Sequence, residues 1–282
     1  GEQTAVVCPD YCGYGVSAHL QHPYLISDVT ARNCIDGLLA AIEDMETRGW
    51  ISYGKWDAAL NRDFSDTSIV GYSQGGATAL ACAKYLESYL CPQWVKDKIK
   101  LWQTTCGDGP YSPLATVEQY LKWGMPKGDN KNLEYACVLP LIVAAAKEAY
   151  GEGCMRTVKL EDYFSEAFNK AGIIDLIKTK SFDTDILDKK ISEAMDTHKR
   201  PVDVFSDKII NPDDGTFNTT TKEYKCLMRA LKMADLTVGW TPTHPIQFFH
   251  FKSDRTVPYC NFEKIFEEGH IGYNNSKVTK VD

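Results

Sequence analysis

The sequence lacks the features that mark membrane-spanning and nucleic-acid-binding proteins. No apolar run approaches the ~20 residues that a helix needs to cross a bilayer. Positive charge is also scarce: 31 Lys and Arg stand against 38 Asp and Glu, a formal net charge of −7 over 282 residues. A nucleic-acid binder is expected to present a basic face. We therefore expect no nucleic-acid partner and no integral membrane segment.

Paired cysteines at metal-binding spacing are also absent. None of the ten cysteines forms a C-x-x-C pair, which is a spacing typical of zinc sites. Cys34 and Cys82 fall within predicted helices, where cysteine behaves as a small apolar residue. The sequence is compatible with up to a few disulfides, so the cysteines do not decide the cellular compartment.

The strongest pattern surrounds Ser73. A short apolar run over 68–70 predicts a buried strand, and a G-x-S-x-G turn follows it, with glycines at Gly71 and Gly75. A helical pattern over 75–90 comes next. Strand, tight turn and helix in this order are the context of a nucleophile elbow, which holds a serine in a strained conformation at the carboxyl end of a strand. The two glycines have no side chains to clash across the turn.

Strands and helices alternate in the part of the chain before residue 105. Apolar runs predict strands at 5–8, 68–71 and 99–104, the first of them buried on both faces. A helix is predicted over 28–48, with Asp28 as its N-cap and Gly49 as its stop. Such alternation predicts an α/β protein with a parallel sheet and right-handed crossovers.

The middle of the chain is predicted to be helical. Helical spacing extends over 117–123, 133–150, 160–171, 186–195 and 222–233. Strands return at 246–251 and 277–281, with a helix over 261–268 between them. We therefore predict a discontinuous sheet domain, 1–113 and 237–282, which is interrupted by a helical insertion over 114–236.

Three further site residues follow from chain order and from position relative to the strands. Asp254 lies on the loop that leaves the strand at 246–251, at the edge where ligands bind in open α/β sheets, so we predict that it is the triad acid. An oxyanion hole needs two backbone N–H groups. We assign one to Gln74, the residue after the nucleophile, and the other to Asp10 in the loop over 9–15, with Tyr11 as the open alternative.

Histidine is the scarce member of the predicted triad. In the order serine, acid, histidine, only His270 follows Asp254, and it adjoins the end of a predicted helix. The expected place is the loop after the strand at 277–281, which puts the base beyond Asp282 and leaves His270 as a fallback. Two other histidines are interpreted as structural, His22 in a loop and His250 in a strand.

The sequence resembles the α/β-hydrolase superfamily and, within it, the secretory lipase and esterase-like proteins of bacteria and fungi. The segments that carry the resemblance are 9–17, 22–25, 71–76, 107–111, 240–242 and 253–259. The resemblance implies a mostly parallel sheet with a large helical lid, and it implies that strands which precede residue 5 in the family are missing here. It also implies Ser73 as nucleophile, Asp254 as acid, and Asp10 and Gln74 around the oxyanion.

The predicted activity is hydrolysis of carboxylic esters, including lipid esters, through an acyl-enzyme, with no metal or organic cofactor. Location outside the cytoplasm, secreted or in the cell envelope, is implied by the resemblance alone. Two alternatives stay open. One is a serine peptidase of the same fold, and the other is a non-catalytic binding protein, which the missing histidine favours. The sequence does not indicate an oligomeric state.

Overall fold

The computed structural model describes residues 4–50, 56–57, 62–63, 66–123, 136–150, 153–179, 183–195 and 201–281. The strands are β1 (Trp56–Asp57), β2 (Arg62–Asp63), β3 (Asp66–Tyr72), β4 (Lys100–Gly107), β5 (Ile246–Phe249) and β6 (Val278–Lys280). The helices of the first part are α1 (Ser27–Thr47), α2 (Gln74–Glu87) and α3 (Gln93–Lys98). The later helices are α4 (Pro113–Trp123), α5 (Val138–Ala149), α6 (Glu166–Lys170), α7 (Ile173–Thr179), α8 (Thr184–Ala194), α9 (Pro201–Val204), α10 (Lys222–Met233) and α11 (Cys260–Phe266).

Four parallel strands form the main sheet, in the order β3-β4-β5-β6. The short strands β1 and β2 pair separately and antiparallel. In the main sheet the register aligns Tyr72 with Gly107 and Gly107 with Phe249. The carboxyl ends of β3, β4 and β5 therefore lie side by side at one edge.

Helix α2 packs on one face of this sheet and α1 packs on α2. Leu80 and Ala83 of α2 are fully buried, as are Cys106 of β4 and Phe248 of β5. Small residues at the contact allow a helix to lie close to the strands. This layer is the core that supports the turn between β3 and α2. Cys34 and Cys82 are buried in it, as predicted.

The opposite face of β3 is exposed, and here the sequence interpretation was wrong. Strand β3 was expected to be buried, but Val70 is 73% exposed and Tyr72 58% exposed. The residues alternate because successive side chains point to opposite faces of a strand. Among the residues that the structure describes, α2 covers one face of β3 and no helix covers Val70 on the other.

The predicted strand at 5–8 is also wrong. Residues 4–11 have no regular secondary structure, and Val6 is 81% exposed. An apolar run becomes a strand only where a neighbouring strand accepts its hydrogen bonds. No described strand pairs with this segment, so its composition alone does not make it one.

Helix boundaries in the first part differ from prediction by a few residues. Helix α1 begins at Ser27, so Asp28 lies inside the first turn and Ile26 takes the N-cap position. A carboxylate in the first turn still interacts favourably with the helix dipole. Gly49 has a φ of +71° and ends the helix as predicted. Strand β4 continues three residues further than predicted, to Gly107.

The middle of the chain is helical, as predicted, with one interruption and two omissions. The predicted helix over 160–171 is a 3₁₀ turn, Leu160–Tyr163, followed by α6. The hydroxyl of Ser165 accepts a hydrogen bond from Phe168 N and caps α6, which explains the break. Helix α10 has the predicted bounds, whereas α7 and α9 were not predicted, and nor was α3 in the first part of the chain.

A disulfide joins Cys154 to Cys226 of α10. Helix α4 contacts both α10 and α11, so the helical segment packs against the C-terminal part of the sheet region. The division at 113/114 and 236/237 stays a prediction. No helix in the described part of the chain is long and apolar enough to cross a membrane.

Candidate active site

Ser73 occupies the turn between β3 and α2, and the predicted strand–turn–helix is confirmed. Its φ of 55° and ψ of −123° lie outside the regions that a side chain tolerates without strain. The Ser73 N–H donates to the Gly107 carbonyl at 2.9 Å. This bond continues the β3–β4 ladder by one residue and ties the strained turn to the sheet.

The glycines around Ser73 differ in how strictly they are required. A Cβ atom at Gly71 would lie 1.9 Å from the Gly75 carbonyl oxygen, and one at Gly76 would lie 2.5 Å from the Gly107 carbonyl oxygen. At Gly75 the nearest atom would be the Tyr11 hydroxyl at 3.8 Å, an ordinary contact. The sequence interpretation was therefore right about Gly71, wrong about Gly75, and missed Gly76.

Gln74 is the first residue of α2, and its backbone N–H is one of the groups that a helix leaves without an internal acceptor. In the described part of the chain no other backbone or side-chain group accepts from it. The N-terminus of a helix also carries partial positive charge. Gln74 N–H thus has the properties that an oxyanion donor needs.

The second oxyanion position lies in an irregular loop. Asp10 is exposed, and its carboxylate lies over Gly15, 2.6 Å from the position of a Cβ atom there. The Tyr11 hydroxyl lies near Gly75, and burial raises the pKa of Tyr11. Both residues stay candidates, and the assignment of Asp10 stays a prediction.

His22 joins this loop to the elbow, a role that sequence reasoning missed. Its Nε2 lies 2.7 Å from Gln74 Nε2, and its Nδ1 lies 3.0 Å from the Cys12 carbonyl oxygen. A carbonyl can only accept, so Nδ1 carries the proton and Nε2 accepts from the Gln74 amide. The Tyr11 ring stacks on His22 at 5.6 Å. The signal in the sequence was His22 itself, within one of the segments that carry the resemblance.

Asp254 lies on the loop that follows β5, as predicted. Its Oδ1 accepts hydrogen bonds from Thr256 N at 2.8 Å and Val257 N at 2.9 Å, and its own N–H donates to the Phe251 carbonyl at 3.0 Å. These bonds fix the carboxylate on its loop. No described residue donates to Oδ2, which leaves one oxygen for an imidazole.

Asp108 is a buried carboxylate beside this loop that sequence reasoning did not single out. It is 1% exposed and has a φ of +43°, a backbone conformation that a side chain rarely adopts. Its Oδ1 accepts from Phe251 N at 2.8 Å. The carboxylate also raises the pKa of the neighbouring Tyr72, with burial and Asp254 adding to the shift. Its position after β4 is the signal that could have found it.

Neither histidine after β5 takes the place of the base. His250 follows β5 directly, has a fully buried side chain, and donates from Nε2 to the Val257 carbonyl at 2.9 Å. The His270 ring faces the Glu268 carbonyl of its own turn at 3.2 Å. Among the described residues, His270 has no contact with Ser73 or Asp254. A base beyond Asp282 stays a prediction.

A mostly parallel sheet with helical insertions, a serine in a strand–turn–helix elbow and an acid on a later strand's loop together define an esterase/lipase-like α/β-hydrolase fold. Solved structures share this fold. The esterase LipA of Xanthomonas oryzae, which degrades rice cell wall, superposes with a TM-score of 0.66 and 19% identity over 96% of this chain and 62% of that one. A putative hydrolase of Legionella pneumophila gives 0.64 and 17%, over 97% and 62%. Candida antarctica lipase A gives 0.53 and 13%, over 92% and 49%.

These similarities establish the fold and leave the activity to be argued from the site. The chain spans 62% of the length of the Xanthomonas esterase. No protein-family model matches the sequence, and no curated protein matches it.

Proposed function

We propose that this protein is a serine hydrolase that cleaves carboxylic esters through an acyl-enzyme. The observation that carries the proposal is the strained Ser73 at the carboxyl edge of the sheet, followed directly by the free N–H of Gln74. Backbone strain at a single residue between well-packed elements is typical of a catalytic or ligand-binding residue.

The reaction would proceed in two steps. Ser73 Oγ attacks the ester carbonyl while a histidine base takes the hydroxyl proton, and the oxyanion is held by Gln74 N–H and by an N–H of the loop over 9–15. The tetrahedral intermediate expels the alcohol, which receives the proton from the imidazolium. Water then attacks the acyl-serine by the same route and releases the acid. Asp254 Oδ2 would orient the imidazole.

The base would be a histidine in a loop that follows β6. In the sheet Lys280 pairs with Phe248, and Val281 N–H donates to the Phe248 carbonyl at 2.8 Å. The carboxyl end of β6 therefore lies beside the carboxyl end of β5, where the Asp254 loop begins. A loop that follows β6 therefore begins at the same edge of the sheet as Ser73 and the Asp254 loop, which is where the base is needed.

Esters are favoured as substrates because the Xanthomonas structure is of an esterase and the Candida structure is of a lipase.

The Cys154–Cys226 disulfide supports an oxidising compartment, such as the outside of the cell, since disulfides persist there.

The test compares p-nitrophenyl esters of increasing acyl length with peptide p-nitroanilides, using the full-length protein and Ser73→Ala as control. We expect turnover of esters that Ser73→Ala abolishes. Turnover of peptides alone would overturn the ester proposal in favour of a peptidase. Hydrolysis of neither substrate, or ester hydrolysis that survives Ser73→Ala, would overturn the proposed role of Ser73.

A further inference from the structure

Three side chains that could bind a cation meet behind the carboxyl ends of β4 and β5. They are Asp108, His250 and Asp254, and their ligand atoms all lie within 4.8 Å of one another. Asp108 Oδ1 and His250 Nδ1 are 3.7 Å apart. The parallel register brings the first two together, because Gly107 pairs with Phe249 and each residue directly follows its strand.

Two atoms of this cluster are buried and poorly hydrogen-bonded. Among the residues that the structure describes, no group makes a well-formed hydrogen bond to Asp108 Oδ2 or His250 Nδ1, although the Tyr72 hydroxyl lies close enough to the Asp108 carboxylate for its pKa to be raised. Asp108 is 1% exposed and the His250 side chain is 0% exposed. A buried carboxylate without a compensating positive charge is costly.

The hydrogen bonds of the cluster show which atoms are left for a ligand. His250 Nε2 lies 2.9 Å from the Val257 carbonyl oxygen, so Nε2 carries a proton, and in the neutral ring Nδ1 presents its lone pair towards Asp108. One oxygen of each carboxylate is already held by backbone N–H groups: Oδ1 of Asp108 by Phe251, and Oδ1 of Asp254 by Thr256 and Val257. This arrangement resembles a metal site, in which outer hydrogen bonds orient each ligand and leave its other atom free.

We propose that Asp108, His250 and Asp254 form a binding site for a divalent transition-metal cation, of which Zn²⁺ fits the ligands best. One imidazole nitrogen and two carboxylate oxygens are ligands that Zn²⁺ accepts, and a fourth position stays open for water. Tetrahedral Zn²⁺ with bonds of about 2.0–2.1 Å places its ligand atoms about 3.4 Å apart, against 3.7 Å between Asp108 Oδ1 and His250 Nδ1 and at most 4.8 Å between any two ligand atoms of the cluster. The absence of C-x-x-C pairs predicted that there is no zinc site. That prediction does not bear on this site, because its ligands are histidine and aspartate.

The site has a consequence for catalysis that rests on the proposed function. Asp254 is the proposed triad acid, and a cation bound to its carboxylate would compete with the imidazole for it. The metal-bound protein would therefore be a less active form, and chelation would restore activity. The binding itself does not depend on the protein being an enzyme.

The experiment measures metal binding directly. Chelator-treated full-length protein is titrated with Zn²⁺ by calorimetry and with Co²⁺ by visible absorption, which reports the geometry of the bound ion. We expect one ion per chain and a tetrahedral Co²⁺ spectrum. Asp108→Asn and His250→Gln should each weaken binding by at least about 100-fold. Matched controls are Asp97→Asn on α3 and His19→Gln, both at exposed positions, and they should bind as the wild type does.

Circular dichroism and thermal melting establish whether each variant is folded. If a buried substitution unfolds the protein, Asp254→Asn on its partly exposed loop replaces it in the comparison. Absence of Zn²⁺ and Co²⁺ binding at millimolar concentration, or equal affinity in the cluster variants, would overturn the site. Binding without modification of Ser73 by an active-site probe would support the metal site and contradict the proposed function.

Discussion

The strained conformation of Ser73 depends on the two glycines whose side chains would collide with the backbone. Gly71 lies against the carbonyl of Gly75, and Gly76 lies against the carbonyl of Gly107. The second contact is between α2 and β4, so it is not visible in the G-x-S-x-G pattern. It explains why the elbow needs a small residue one position beyond that motif.

We predict that Gly76→Ala destabilises the protein by about 2 kcal/mol or more, because overpacking against backbone typically costs about 1–3 kcal/mol. Gly75→Ala is the matched control, with 3.8 Å to the nearest atom, and should change the free energy of unfolding by less than about 0.5 kcal/mol. Urea unfolding of both variants measures the difference. Equal stability of the two would show that α2 does not approach Gly107 as closely as the structure has it.

The sequence allows prediction of candidate site residues that stand in a local pattern, but not of residues that only the pairing of distant strands brings together. Ser73 and Asp254 each stand in a local pattern, a turn motif and a loop after a strand. Asp108 and His250 meet because β4 pairs with β5 in one register, although about 140 residues separate them in the chain. No local pattern encodes such a pairing.

At the scale of elements, Glu87 joins the end of α2 to the segment that enters β5. Its carboxylate accepts from Thr243 N and Oγ1 and from His244 N, and His244 Nδ1 lies 2.7 Å from it. His244 also bonds Thr104 of β4 at 2.8 Å. Glu87 thus joins α2 to this segment, and His244 joins the segment to β4.

This interaction predicts a pH-dependent stability. Burial raises the pKa of Glu87, but hydrogen bonds from His244 and Thr243 outweigh it and hold the pKa below its ordinary value. The stabilisation is therefore complete above the ordinary glutamate pKa and is lost as the pH falls through the lower pKa of the folded state.

We expect Glu87→Gln to lower the free energy of unfolding by about 1–3 kcal/mol at pH 7. The difference from the wild type should shrink as the pH approaches 3. Denaturant unfolding at several pH values tests this, with Glu43→Gln as an exposed control on α1. A difference that grows towards low pH would contradict the assigned direction of the shift.

The Cys154–Cys226 disulfide closes a loop with a sequence separation of 72 residues. Closing a loop of this size restricts the unfolded chain and is expected to contribute about 2–4 kcal/mol. The double variant Cys154→Ser and Cys226→Ser should lose about that much in thermal or denaturant unfolding. Cys8→Ser, which changes an exposed free cysteine, should have no effect. A double variant as stable as the wild type would show that the bond is not formed in solution.

Helices and strands were predicted correctly where a helical pattern continued over several turns or where apolar residues followed one another closely. Helix α10 spans the predicted residues, and β5 and β6 lie where strands were expected. The prediction failed at 5–8, where the apolar run has no partner among the described strands, and at α7, a helix of seven residues that is too short for its period to stand out. The first failure concerns tertiary context, which a local pattern does not contain.

At the scale of the whole molecule, the exposed face of β3 is the most unusual property of the part that the structure describes. Parallel sheets are normally covered on both faces, yet Val70 and Tyr72 are exposed there, and Tyr72 stacks on Phe249 at 6.4 Å. The Phe249 ring lies over Gly107, since a Cβ atom there would be 2.1 Å from it. The result is an aromatic surface at the carboxyl end of the sheet.

We predict that the 282-residue chain binds the dye ANS through this face and self-associates as its concentration rises, because an exposed apolar patch favours both. Val70→Ser combined with Tyr72→Ser should reduce dye fluorescence and shift sedimentation towards the monomer. Leu90→Ser, at an exposed apolar position after α2, is the control and should change neither. Unchanged dye binding in the double variant would show that this face is covered in solution.

The most direct test of the account as a whole is covalent labelling of the nucleophile. Full-length protein is treated with a fluorophosphonate, digested, and mapped by mass spectrometry, with heat-denatured protein and Ser73→Ala as controls. The account predicts a single adduct on Ser73 of the folded protein and none in either control. A folded protein that gains no adduct at Ser73, or gains it on another serine, would contradict the assignment of this turn as a nucleophile elbow.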